Sequence, residues 1–240
     1  MWSHTRSLEL LVLVATVAPA ELIRVATAFG PAAKAGADRG GRVARRGLLG
    51  APAAYLLVTA VALAVAADGG FVPEALTGWR TGALWLSAAA MVGAALVGAE
   101  FALGAVPRLL DGTGRPRLAV HRGGGVVGGG YAAAVLATAV AEELLYRGLW
   151  IGVLHERLRL PVGVAVVTAA VAYAVGHLFF GGLAVAQKTL SGTVFGLLMV
   201  VSGSLAVPLV AHLAQNVVVF ALAVRQEHAA RPAGGREVAG

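Results

Sequence analysis

From Leu48 to Ala67 the chain carries no charged residue at all. That length matches the roughly 20 apolar residues an α-helix needs to cross a hydrocarbon layer. Comparable runs recur at Ser7–Phe29, Thr81–Val106, Val126–Leu158, Pro161–His177, Leu183–Val201 and Leu205–Val224. Inside lipid, every backbone N–H and C=O must be satisfied within the segment, so such runs fold as helices. Only 13% of the 240 residues are charged, against about 25% in a soluble domain. The chain therefore lacks the polar surface to cover a globule in water. The fold class expected is all-α, a polytopic transmembrane bundle of about seven helices. Residues 1–125 would form N-terminal membrane helices with basic loops, 126–224 a core of four helices, and 225–240 a disordered polar tail.

The net charge of +7 could serve nucleic acid binding, but its distribution excludes that reading. The cations fall in short loops between apolar runs: Lys34, Arg39, Arg42, Arg45 and Arg46 in 31–46, and Arg108, Arg115, Arg117 and Arg122 in 107–125. Loops of this kind set topology and meet anionic lipid. They put 31–46, 107–125 and the C-terminus in the cytoplasm and the N-terminus outside, with Arg157 and Arg159 on the wrong side. Trp79 and Trp85 suit a membrane interface. With no cysteine, disulfides, thiolate zinc sites and a cysteine nucleophile are excluded. Arg6 before the first run and Ala18-Pro19-Ala20 within it imitate a cleaved signal; Glu9 and Pro19 argue for a retained helix.

Polar residues at depth are few, and they come in groups. Glu142 and Glu143 lie in a strongly apolar stretch, with Arg147 four residues after Glu143. Tyr173/His177 and His212/Asn216 each share one helix face by their i,i+4 spacing. A charge at the centre of a membrane helix costs about 2.5–3.5 kcal/mol on insertion scales, so such residues mark function by default. Glu142 and His177 are equidistant from the Leu160-Pro161 turn, which puts them at one depth. The same count leaves His212 and Asn216 roughly one to two turns away from His177.

A carboxylate and an imidazole flanking one water can take its proton and aim the hydroxide at a carbonyl. An imidazole N–H and an amide four residues apart can hold the resulting oxyanion. Arg147 would neutralise Glu143 and leave Glu142 free. Each group also has a plain structural reading. Glu143/Arg147 could be a buried ion pair, His177 a packed histidine, and His212/Asn216 hydrogen-bonded helix glue. Together in one chain they favour a site. Glu100, near the end of its span, reads as a helix-pairing or snorkelling acid. A proton-relaying transporter is disfavoured because no internal repeat is visible. The glycine pairs Gly148/Gly152 and Gly192/Gly196 suit close helix packing.

The ordered motifs E-E-x-x-x-R (Glu142, Glu143, Arg147), aromatic-x-x-x-H (Tyr173, His177) and H-x-x-x-N (His212, Asn216) resemble the CPBP family. That family groups CAAX prenyl endopeptidases, bacteriocin-processing or immunity proteins and Abi proteins. The resemblance covers about Val126 to Val224, and Tyr173 stands where the family usually has Phe. It implies an intramembrane endopeptidase in a multi-pass protein of the bacterial plasma membrane, cutting a membrane-associated peptide or protein. By the same resemblance Glu142 and His177 activate water, His212 and Asn216 hold the oxyanion, and Glu143, Arg147 and Tyr173 support them. A catalytically inactive scaffold or immunity protein of the same fold is the alternative. No cofactor is expected; zinc at Glu142, His177 and His212 is the competing reading. His155-Glu156 imitates the start of H-E-x-x-H, but Arg159 occupies the place of the second histidine.

Overall fold

A computed structural model describes residues 4–19, 42–110, 112 and 129–230. Most of the basic loops expected at 31–46 and 107–125, the second half of the first apolar run and residues 231–240 lie outside these. The described residues form seven helices and no strand. They are α1 (His4–Ala15), α2 (Arg42–Asp68), α3 (Ala83–Leu110), α4 (Gly129–Glu142), α5 (Val162–Val175), α6 (Gly182–Ser202) and α7 (Ala206–Ala230). Three stretches are long and apolar enough to span a membrane: Ala83–Pro107, Gly182–Ser202 and Ala206–Gln226. Tyr55–Asp68 and Val162–Val175 are shorter apolar helices. The protein is an integral membrane protein.

Three boundaries differ from expectation. The third span runs through Pro107 to Leu110. α7 continues to Ala230, so 225–230, expected as disordered tail, are helical. α5 stops at Val175 rather than reaching His177, which sits in the turn beyond at φ −108°, ψ 9°.

The largest departure is the fourth run. It was expected as one helix from Val126 to about Leu158. Instead α4 gives way to π-helix at Glu143–Trp150 and again at Val153–Arg157. The wider coil is visible in its bonds: Ile151 N–H reaches back to Tyr146 O, and Leu158 N–H to Val153 O at 2.9 Å. Gly148 and Gly152 do not meet another helix. They admit the Leu76 and Pro73 side chains of the short 3₁₀ turn Glu74–Leu76. Gly192 and Gly196 do serve helix packing. A methyl on Gly192 would stand 3.2 Å from Ala170 Cβ, and one on Gly196 2.8 Å from Val166 Cγ1, so α6 lies close on α5.

Two apolar clusters hold the bundle. One joins α1, α2, the π segments and α5 through Val12, Tyr55, Ala62, Phe71, Leu145, Leu149, Val153, Ala165 and Ala169. The other joins α3, α6 and α7 through Ala89, Leu96, Phe195, Val207 and Ala211. At the α3–α7 crossing, Gly93 lies against the backbone of Ala211 with no room for a Cβ. Gly203 closes α6 in the left-handed conformation, φ 64°, and donates to Met199 O, as a helix C-terminus of this type requires.

Candidate active site

All seven singled-out residues converge. The π coil buries Glu143, Leu145, Tyr146, Arg147, Gly148, Leu149 and Trp150. An α-helix at a bundle surface would turn part of that run to lipid. Short π segments recur at functional sites, where they re-aim side chains. Here the coil holds Glu143 and Arg147 inside the bundle while Glu142, at the last α-helical position, faces a cavity.

Arg147 is almost completely buried (1% exposed). Its guanidinium lies 4.6 Å from the centre of the Tyr173 ring and 5.3 Å from that of Phe195. Nη2 donates to Gly192 O at 3.3 Å. Nη1 stands 3.1 Å from Glu143 Oε1. The same Glu143 oxygen accepts from His212 Nδ1 at 2.7 Å. His212 Nε2 then points at Glu142 Oε2, 3.7 Å away. The His212 ring stacks on Phe195, with centroids 5.1 Å apart and 28° between planes. Tyr173 meets His212 edge-on at 6.0 Å and His177 at 5.0 Å.

His177 Nδ1 lies 3.2 Å from Tyr173 O. A carbonyl only accepts, so Nδ1 carries the hydrogen and Nε2 the lone pair. The depth mismatch counted from the sequence has a simple origin. α5 has 14 residues and α6 has 21, and residues 176–181 form an extended turn between them. Equal-depth counting therefore fails across this hairpin. His212 sits beside Tyr173, and Asn216 follows it by four residues as His177 follows Tyr173.

Glu142, Tyr173, His177, His212 and Asn216 line one cavity of about 320 Å³. Its remaining wall comes from Pro52 and Tyr55 of α2, Ala134, Val135 and Thr138 of α4, Gly176 and Phe180 of the turn after α5, and Lys188 of α6. A larger cavity, about 520 Å³, lies among Gly70–Val72, Glu74 and His155–Leu160 and shares no residue with it. His155 and Glu156 are engaged there: His155 Nδ1 lies 2.9 Å from Leu160 O, and Glu156 accepts the Glu74 and Ala75 N–H groups.

Among the described residues no three His, Asp or Glu side chains stand so as to hold an ion together.

Several wall residues were not anticipated. Lys188 was legible in principle as the only charged residue of its own apolar run, Leu183–Val201. It donates to both oxygens of Glu100, at 3.1 and 3.2 Å, which makes Glu100 a helix-pairing acid. Pro52, Tyr55, Thr138 and Phe195 carried no signal in the sequence, since each is an ordinary residue of an apolar helix.

Residues 128–218 match the family model described as type II CAAX prenyl endopeptidase Rce1-like. No curated protein and no solved structure matches the chain. The matched segment carries all three motifs and all seven singled-out residues, and over it the chain is similar to the CAAX-type membrane proteases of the CPBP family.

Proposed function

We propose that this protein is an intramembrane endopeptidase that hydrolyses a peptide bond of a membrane-associated protein or peptide. The observation carrying this reading is the single cavity that Glu142, His177, His212 and Asn216 line together. A water there donates one hydrogen bond to Glu142 and another to the lone pair of His177 Nε2. Glu142 takes the water's proton as its oxygen attacks the carbonyl carbon. His212 and Asn216 donate to the oxyanion. Glu142 then returns the proton to the leaving nitrogen as the C–N bond breaks. No metal enters any step.

The family description makes a prenylated C-terminal tail the first substrate to assay, with the lipid bilayer supplying its path to the site. Replacing Glu142 by Gln keeps the shape and removes the base. Cleavage should fall by about 10²–10⁴-fold, the usual contribution of a general base, with the folded protein still recovered from membranes. Unchanged turnover would remove Glu142 from this role, whereas no turnover by the unaltered protein would leave the inactive-scaffold reading in its place.

A further inference from the structure

We infer that Glu143 is a positioning residue that holds His212 as a doubly protonated, donating imidazole, rather than an acid whose only partner is Arg147. The inference rests on the hydrolytic reading for its meaning, but not for its geometry. Glu143 Oε1 accepts from His212 Nδ1 at 2.7 Å, and a carboxylate only accepts. That contact puts a hydrogen on Nδ1. It would leave a neutral ring with a bare Nε2 facing the Glu142 carboxylate at 3.7 Å, two acceptors set against each other.

Charge counting gives the same answer. The groups facing His212 are Glu142, Glu143 and Arg147 from the α4–π helix, Tyr173 and His177 from α5 and its turn, and Lys188 from α6. Lys188 is matched by Glu100, and His177 Nδ1 faces the Tyr173 carbonyl; with His177 in its neutral form it adds no charge to the count. Two carboxylates then face one guanidinium. Buried charge is tolerated only when it is paired, so the cluster needs one more proton. Glu143 Oε2 has no hydrogen-bond partner among the described residues, so Arg147 and His212, both at Oε1, are the partners its carboxylate has. Hydrogen on His212 Nε2 satisfies both the geometry and the count.

This arrangement suits the reaction. When Glu142 takes the water's proton, negative charge leaves the carboxylate and appears on the oxyanion. Nε2–H can serve first one and then the other, and the net charge of the pocket never changes.

The test is ¹⁵N NMR of the full chain, ring-labelled at histidine, in lipid nanodiscs. The His212 signals are assigned by their loss in His212→Gln. Both His212 nitrogens are expected to carry hydrogen in the unaltered protein. A lone-pair signature at either nitrogen overturns the inference without any assay of turnover. In Glu143→Gln the amide can still accept from Nδ1, but the extra charge is gone. Nε2 should then convert to the lone-pair form and kcat should fall about 10–100-fold, as for other residues that orient a reacting histidine, with KM little changed. An unchanged Nε2 signal or an unchanged kcat in that variant would also overturn it. Failure of Glu142→Gln to lose activity would instead strike the hydrolytic reading and leave the NMR result standing.

Discussion

Asn216 has the most specific residue-scale consequence. On the proposed reading it donates to the oxyanion, and so acts in the transition state and hardly at all on the bound substrate. Asn216→Ala should lower kcat by roughly 10²–10³-fold with KM almost unchanged, read by steady-state cleavage of a fixed peptide. Were Asn216 only interhelical glue, the loss would appear in thermal stability and kcat would hold. Tyr173 makes the contrasting case. Its side-chain contacts to Arg147, His177 and His212 run through the ring, so the hydroxyl that departs from the family's Phe is not needed by them. Tyr173→Phe should keep activity close to that of the unchanged chain, while Tyr173→Leu removes a cation–π contact worth about 0.5–2 kcal/mol. At this scale the sequence was informative wherever two polar residues shared one helix face. It was silent on the Glu143–His212 contact, because those residues are 69 positions apart. No local spacing distinguishes an acid held by its i+4 arginine from one that also grips a distant imidazole.

Elements explain why these side chains arrive together. The π coil after Glu142 is not legible in A-E-E-L-L-Y-R-G, since a helical stretch of apolar residues reads alike in either winding; only the bonds from Ile151 to Tyr146 and from Leu158 to Val153 reveal it. The α3–α7 crossing is equally invisible. Gly93 sits in a run of Ala and Gly with no outward sign that its neighbour is the Ala211 backbone. A backbone cannot swing aside as a side chain can, so Gly93→Ala must push α3 and α7 apart. Overpacking of this kind costs about 1–3 kcal/mol. Ala211 immediately precedes His212, so the shift reaches the site directly. The variant should show both a lower unfolding temperature in detergent and weaker cleavage, whereas Gly98→Ala, with open space at its Cβ, should change neither.

Across the whole molecule, helices outside the matched segment are tied into it by charge as well as by packing. Glu9 of α1, nearly fully buried, accepts from Arg157 Nε at 2.8 Å. This supplies a local reason for a cation at the end of the bundle where the charge rule disfavours one: Arg157 answers an acid. Glu100 of α3 is held by Lys188 of α6 in the same way. Arg157 is half out in solvent, but Lys188 and Glu100 are 22% and 13% exposed, so losing one partner leaves a poorly solvated charge. Lys188→Met alone should therefore destabilise the protein by about 1.5–3 kcal/mol, the range for hydrogen bonds to charged groups. Lys188→Met combined with Glu100→Gln should recover most of that loss, a coupling of about 0.5–3 kcal/mol, measured by denaturant unfolding in micelles. The double variant also separates two roles for Lys188, because that residue lines the cavity shared by Glu142, His177, His212 and Asn216. A lysine that only pairs α3 with α6 predicts that stability and cleavage return together. A lysine that also touches substrate predicts restored stability with a raised KM. The bidentate grip of Glu100 on Lys188, which leaves Nζ little capacity for another anion, favours the first outcome.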